Sequence, residues 1–378
     1  MAINNIKEVI RAESERLGFC FFGISAVKTL HGFQRYADWI NHNYNANMTY
    51  LGTGRALQLR QNPEMIMNGA RSIISLGVKY PAFSDSSSID GNGKIAAYAC
   101  GEDYHITLID NLNKLIASLS SIAGREISAR KYTDTGPLLE KELAQQAGFG
   151  WFGKNSCLIS PKYGSFILLC ELLIDLELEL DAPFSNEYCG SCTRCIDACP
   201  TGCILPGRTI DSSRCIAYHT IENKGIIPAE IRDKFGSMVF GCDICQEVCP
   251  WNSGKKLTAG LEASAFKFRP EFHQINLYDE LHMTPIEFAE KYRNTPVKRA
   301  KYTGFARNLI IAAGNTCDPV YTTRLIEFLS DTLNPLLQYH SAWALGKMGD
   351  NKAGDYLQQA LTQTTDPQLI IEITNALK

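Results

Sequence analysis

The stretch CGSCTRCIDACP, residues 189–200, sets four cysteines within twelve residues and closes on proline. Spacing of the form C-x2-C-x2-C-x3-C-P belongs to chains that fold around iron–sulfur clusters, and its fourth cysteine serves a second cluster. Cys189, Cys192 and Cys195 therefore supply three ligands to one 4Fe-4S cluster, and Cys199 crosses to another. A second run, CDICQEVCP, offers Cys242, Cys245 and Cys249 before Pro250. By the same reciprocity Cys249 completes the first cluster, which leaves the second with Cys199, Cys242 and Cys245 and one ligand short. Cys203 and Cys215 are the unused cysteines nearby. Cys203 lies four residues past Cys199 on a short helix or turn. Cys215, in SSRCIAYHT, is far enough along to approach from another side and is the favoured ligand. A zinc site of paired C-x2-C motifs is the simpler alternative. Zinc takes four ligands in two pairs, whereas these triplets interlock, with a proline after each crossing cysteine.

The chain has 14 cysteines in 378 residues. In a small secreted protein they would suggest disulfides; in a cytosolic chain of this size they suggest metal. The N-terminal MAINNIKEVIRAESERLGF lacks a basic-then-apolar signal and a twin arginine. Apolar runs such as SFILLCELLIDL are broken by charge before a membrane-spanning length. The expectation is a cytoplasmic protein with no membrane partner. Cys20, Cys100, Cys157, Cys170, Cys203 and Cys317, outside the ligand sets, read mostly as buried small hydrophobes. A net charge of −3 gives no global attraction to nucleic acid, so any such binding needs a local patch.

The fold expected is an α/β N-terminal domain over residues 1–177, a ferredoxin-like two-cluster domain over 178–255 and a helical, HEAT-like domain over 256–378. In the first, IKEVIRAESERLG is amphipathic at helical spacing, GFCFFGIS and ARSIISLGVKYP read as strands, and YHITLIDNLNKLIASLSSIAG as a long helix. EISARKYTDTG is a strand ending in a loop, and PLLEKELAQQAGFG a helix with Pro137 near its start. SCLISPKYGSFILLCELLI reads as a hairpin around Lys162–Gly164. Segment 178–255 has too few large side chains for a core, which the clusters must supply. Towards the C-terminus TGFARNLIIAA, PLLQYHSAWAL and PQLIIEITNAL begin at Thr303, Pro335 and Pro367, a period of 32 residues. Ala312, Ala344 and Ala376 fall in register, as do Phe305, Leu337 and Leu369. A helical period of this length implies stacked helix pairs; three unrelated core helices are the alternative.

The combination resembles the epoxyqueuosine reductases, cobalamin-dependent enzymes that finish queuosine in tRNA. The stretches that carry the resemblance are YTDTGPLLEKELAQQAGFGWFGKNSCLISPKYGSF, CGSCTRCIDACPTG, RCIAYHTIENKG, FGCDICQEVCPWN, KRAKYTGFARNLIIAAGN and HSAWALGKMGD, and they span nearly the whole chain. The family supports Cys215 as the missing ligand; Cys203 departs from its usual pattern, which has a plain small or apolar residue there. The resemblance implies removal of the epoxide oxygen from epoxyqueuosine at the wobble position. An external donor would supply electrons, which pass through two 4Fe-4S clusters to cobalamin. It assigns the proton to the aspartate of TDTG, here Asp134. A carboxyl in a cleft beside an apolar macrocycle is expected to have a raised pKa, and Gly136 is expected to let the backbone turn. The competing role for Asp134 is an N-cap for the helix starting at Pro137, which Thr135 would serve as well. The lower-ligand motif D-x-H-x-x-G begins with Asp103 and His105 but has Leu108 in place of glycine, so base-off cobalamin is expected. By family position Arg60, Ala96, Asp134, Leu158, Ser160, Ala217, Cys242 and Asp243 contact the corrin.

Residues 291–317 hold Lys291, Arg293, Lys298, Arg299, Lys301 and Arg307 without an acidic residue, interleaved with Tyr292, Tyr302 and Phe305. A solvated helix face is the ordinary reading of such a run. In a net-acidic protein it is better explained by phosphate contacts to tRNA, with Lys298, Arg299, Lys301 and Arg307 as the candidates. Arg307 has the alternative of pairing inside the helical stack. Two other functions compete. A reductive dehalogenase-like corrinoid enzyme would act on a small organohalide, without need of a basic solenoid. A non-catalytic iron–sulfur electron carrier would need no acid in YTDTG. A monomer is expected.

Overall fold

The structure is a computed structural model that describes residues 3–83 and 91–378. These residues divide into two compact units that do not follow three consecutive blocks. The first contains residues 3–83, 101–213 and 244–268; the second contains 91–100, 214–243 and 269–378. The reason is a short sheet in which Asn92–Ile95 pairs parallel to Met238–Phe240 and antiparallel to Gln274–Asn276. Backbone pairing thus fixes a piece of the N-terminal third to the C-terminal unit. The cysteine-rich stretch is divided as well, since 214–243 belongs to the second unit.

The first unit is built on a four-stranded antiparallel sheet. Its strands are β1 (Phe21–Ala26), β2 (Ser72–Lys79), β3 (Ala129–Tyr132) and β4 (Ile167–Ile174), in the order β1-β2-β4-β3. β2 and β4 run in register from Ser72 opposite Ile174 to Lys79 opposite Ile167. Every residue of β2 is buried, as a central strand covered on both faces must be. Helix α1 (Ile3–Arg16) packs beside α2 (Tyr104–Ala123). Along α2, Leu108, Leu112, Leu115 and Leu119 are buried at helical spacing, and Gly124 ends the helix in the left-handed conformation.

Two expectations for this unit change. The helix predicted from Pro137 begins three residues later, as α3 (Glu140–Gln146), with Leu139 as an N-cap that makes no side-chain bond. Leu138 is drawn into the core with Leu143 and Leu173, which keeps the chain out of helical register until it has passed. The chain does turn between Ser160 and Gly164, which exchange backbone hydrogen bonds of 2.8 and 2.9 Å. Its two arms do not pair, however: Leu158–Ile159 pairs with Trp151–Phe152, and β4 lies between β2 and β3.

In the second unit the repeat becomes helices α4 (Lys301–Thr316), α5 (Thr322–Ser330), α6 (Pro335–Met348), α7 (Asn351–Gln363) and α8 (Pro367–Ala376). α4 packs on α6 and α6 on α8. The register of the repeat is set by backbone approach. A Cβ on Gly314 would meet the Ala344 Cβ at 3.0 Å, and one on Gly346 the Ala376 backbone oxygen at 2.7 Å. Gly314 and Gly346 are themselves one period apart. Gly346→Ala should therefore destabilise the unit: overpacking costs about 1–3 kcal/mol against a helix-propensity gain of about 1 kcal/mol. Gly354→Ala, on α7 with nothing within 4 Å of its new Cβ, should raise the melting temperature, and thermal unfolding of the two variants checks both signs.

Candidate functional site

Asp134 follows β3 in a turn that strains the backbone. Its φ is +60°, and the Thr135 amide donates to the Thr133 carbonyl across it at 2.6 Å. A three-residue turn of positive φ is costly for any residue but glycine or asparagine. Gly136 is not the residue that bends; it is glycine because a Cβ there would stand 2.6 Å from the Tyr132 ring. Asp134 is not a helix cap either. Its own amide donates to Glu140 Oε1 at 2.7 Å, so the first residue of α3 reaches back to hold the turn.

The Asp134 carboxylate is 70% exposed at the edge of a cavity of about 230 Å³ within the first unit. Phe149, Leu158, Ile167 and Leu169 make its wall apolar, while Tyr104, Glu140, Lys141 and Gln246 add polar groups. The Tyr104 hydroxyl donates to Asp134 Oδ2 at 3.2 Å. His105 Nε2 stands 3.7 Å from the same oxygen, and the His105 ring stacks on Tyr104 with centroids 4.1 Å apart. His105 Nδ1 is 2.7 Å from Asp103 Oδ1, which also accepts the His105 backbone N–H.

These neighbours overturn the expected ionisation. Asp134 is held below its ordinary pKa, first by His105 and against the effect of burial, with Tyr104 and Lys141 adding to the fall. Burial alone would lower His105, yet Asp103 and Asp134 raise it to about 9. Burial and the nearby Asp134 charge push Glu140 up to about 8. At neutral pH the resting site has a carboxylate at Asp134, an imidazolium at His105 and an uncharged carboxyl at Glu140. The sequence singled out Asp134 but missed His105 and Glu140 as its partners; the start of D-x-H-x-x-G was the visible signal for the histidine.

Six of the eight predicted cluster ligands lie in the first unit, among them all four of the first cluster. Cys195 is raised by burial and by the thiols of Cys249, Cys189 and Cys192, and Cys249 by burial and by Cys189 and Cys192. Thiols near enough to raise one another in this way are the soft, deprotonable donors that a 4Fe-4S cluster takes. Trp151 Nε1 donates to Cys189 Sγ at 3.5 Å, and Trp151 makes edge contacts with Tyr188 and Trp251. Lys154 Nζ donates to the carbonyls of Gly190 and Cys192. Cys199 is lowered to about 4, chiefly by the Cys203 thiol, whose sulfur is 3.5 Å from its own. Cys245 is also in the first unit, while Cys215 and Cys242 are in the second. Among the remaining cysteines Cys100, Cys170 and Cys203 are buried as expected, Cys20 and Cys157 are partly buried, and Cys317 is exposed.

The expected corrin contacts divide in the same way. Leu158 lines the cavity. Ser160 is buried, with its hydroxyl facing the Lys162 and Tyr163 amides. Buried Arg60 stacks its guanidinium 5.3 Å from the Tyr36 ring centre. In the second unit Asp243 accepts from the Ala97 amide at 2.6 Å, next to buried Ala96, and Ala217 lies on the helix Ile216–Ile221.

The basic run is only partly a surface. Arg307 is 1% exposed and donates to the carbonyls of His219, Asn223 and Gly225, so it holds the second unit together and cannot reach a phosphate. Tyr292 and Phe305 are core residues. Lys298, Arg299 and Lys301 are exposed, with Arg299 paired to Glu222 at 3.0 Å. Lys224, which charge patterning along 291–317 cannot reveal, donates to the Arg299 carbonyl.

Comparison with known proteins agrees with this organisation. Residues 60–135 match the family model "Epoxyqueuosine reductase QueG, DUF1730", residues 188–252 a 4Fe-4S double cluster binding domain, and residues 301–378 HEAT repeats. The chain is 38% identical over 303 residues to the epoxyqueuosine reductase of Cyclobacterium marinum, covering 80% of this chain and 95% of the relative. Identity to the Bacillus anthracis epoxyqueuosine reductase is 31% over 383 residues, covering 100% of this chain and 98% of the relative. A crystal structure of an epoxyqueuosine reductase with an epoxyqueuosine-modified tRNA-Tyr stem loop superposes with a TM-score of 0.89 at 28% identity, covering 99% of this chain and 98% of that one. The Bacillus subtilis enzyme, with its catalytic aspartate loop swung out of the active site, matches with the same TM-score and identity over 99% of both chains. Near-complete coverage by relatives above 30% identity, over an N-terminal domain, a double-cluster domain and HEAT helices in that order, makes this chain a member of the epoxyqueuosine reductase family.

Proposed function

We propose that this chain reduces epoxyqueuosine to queuosine in tRNA, with Asp134 delivering protons to the departing epoxide oxygen. The observation that carries the reading is the strained turn that presents Asp134, hydrogen-bonded by Tyr104, at the edge of an apolar cavity. Cys189, Cys192, Cys195 and Cys249 would hold one 4Fe-4S cluster and Cys199, Cys215, Cys242 and Cys245 a second, through which electrons from an external donor would pass. Cobalamin, in a base-off form, would supply the strongly reducing centre that the epoxide carbon requires. Arg60, Ala96, Leu158, Ser160, Ala217, Cys242 and Asp243 are the residues that would hold it. The apolar wall around Leu158 fits one edge of a corrin, and His105 Nδ1 is already engaged by Asp103.

The chain's own residues do the proton chemistry. Tyr104 orients the Asp134 carboxyl, and Glu140 holds the turn through the Asp134 amide. The apolar wall formed by Phe149 and Leu158 excludes water from the reacting oxygen. Charge neutralisation of an oxygen leaving from carbon is where a positioned acid lowers a barrier most.

The substrate partner is tRNA carrying epoxyqueuosine, a reading supported by the relative bound to a modified stem loop. Lys298 and Lys301, with Lys224 and Arg299 beside them, form the phosphate-binding patch. Lys298→Glu combined with Lys301→Glu is the cleaner test, because Arg299 is neutralised by Glu222. Losing two phosphate contacts should weaken tRNA binding by about tenfold or more and flatten the slope of log affinity against log salt by roughly 2. An unchanged affinity and slope in a filter-binding titration would remove the patch from the interface.

A further inference from the structure

We propose that His105 is the proton store that refills Asp134 during each turnover, so that Asp103, His105 and Asp134 work as one relay. The inference rests on the reading of Asp134 as the proton donor and assigns the source of its protons.

The stoichiometry of the reaction requires such a source. Converting an epoxide to an alkene breaks two carbon–oxygen bonds and takes two electrons, here from the external donor through the clusters. The oxygen leaves as water and collects two protons. A carboxyl carries one proton at a time, so Asp134 must be recharged between the first bond cleavage and the second. A carboxyl held low by its neighbours must receive its first proton from one of them, and that neighbour, holding one mobile proton itself, must take the second from solvent before passing it on.

The geometry names the neighbour. His105 Nε2 is buried and has no hydrogen-bond partner, and Asp134 Oδ2 stands 3.7 Å away, beyond a hydrogen bond but within a small side-chain rotation of one. Nδ1 is fixed by Asp103 at 2.7 Å, which sets the ring plane and makes Nε2 the nitrogen that gives or takes the mobile proton. His105 is the second residue of α2, where the positive end of the helix opposes an imidazolium. Two carboxylates overcome that opposition and burial, and they raise His105 to about 9. The other groups facing the relay do not replace it. Glu140 is uncharged at neutral pH and its Oε1 accepts the Asp134 amide. Lys141 adds positive charge, which keeps Asp134 ionised. The Tyr104 phenol bonds the same Oδ2 and stacks against the imidazole, so it fixes the distance between donor and acceptor.

His105 acts through Asp134 and is a positioning residue in that sense, so its test is a pH profile. In single-turnover reduction of epoxyqueuosine-tRNA by the loaded enzyme, the wild type should hold its rate through neutrality and fall as pH rises through about 9. In His105→Gln the rate should already decline tenfold per pH unit from about pH 4 upward, and be on the order of 10⁴-fold slower at pH 8. A His105→Gln profile that parallels wild type at every pH would overturn the relay. A measurement that needs no turnover accompanies it: nitrogen-15 imidazole shifts in the cluster-loaded protein. His105 should be doubly protonated at pH 7.5, and its pKa should fall by about one unit or more in Asp134→Asn. A neutral His105 at pH 7.5, or one indifferent to Asp134→Asn, would also overturn it. If the wild type leaves epoxyqueuosine intact while the imidazole shifts behave as expected, the proposed activity fails and the proton-sharing pair stands.

Discussion

Asp134→Asn should lower the single-turnover rate of epoxide reduction by about 10²–10⁴-fold, the range a positioned general acid supplies. Asparagine is the informative replacement because it tolerates the positive φ of +60° that Asp134 adopts. The turn, the Glu140 contact to the residue 134 amide and the cavity should therefore survive. The exchangeable proton and the carboxylate charge are what is lost. Iron content and tRNA affinity should stay at wild-type values, and rate constants measured on rapidly quenched tRNA check the fall. A wild-type rate in Asp134→Asn would assign the proton elsewhere, with Glu140 the nearest protonated carboxyl.

Cys249→Ala should abolish reduction and remove about half of the bound iron and sulfide, since a cluster missing a thiolate is not retained. The expected set also separates two candidate ligands. Cys215→Ala should lose half of the iron, whereas Cys203→Ala should keep all of it and change only the neighbourhood of Cys199, whose sulfur is 3.5 Å away. Iron and sulfide quantified on anaerobically reconstituted protein decide the matter, and a loss of iron in Cys203→Ala with none in Cys215→Ala would exchange their roles. The Trp151 N–H bond to Cys189 adds a second effect in the first cluster, because hydrogen bonds to ligand sulfur tune its potential.

Much of this was legible in the chain. ARSIISLGVKYP, read as a strand, contains β2, and the 32-residue period is met by the stacking of α4, α6 and α8. What escaped was contact at long sequence distance. The burial argument for Asp134 saw desolvation but not His105, twenty-nine positions earlier on another element, and so assigned the wrong direction to its pKa. Charge counting could not tell Arg307, clamped on three carbonyls, from Lys298 at the surface, because both are cations in one run. The hairpin expected around Lys162–Gly164 failed for a similar reason. Local turn chemistry was right, but β4 is paired along both edges, with β2 and β3, while the strand before it pairs with Trp151–Phe152. The exchange of segment 91–100 into the second unit has no local signal, since only the pairing of Asn92–Ile95 with strands far along the chain creates it.

The most direct measurement is the mass of the wobble nucleoside after tRNA bearing epoxyqueuosine is incubated with cluster-loaded protein, cobalamin and a low-potential reductant. The account predicts loss of one oxygen atom and appearance of queuosine, dependent on both cobalamin and reductant. An unchanged epoxyqueuosine mass from protein shown to contain both clusters and cobalamin would contradict it.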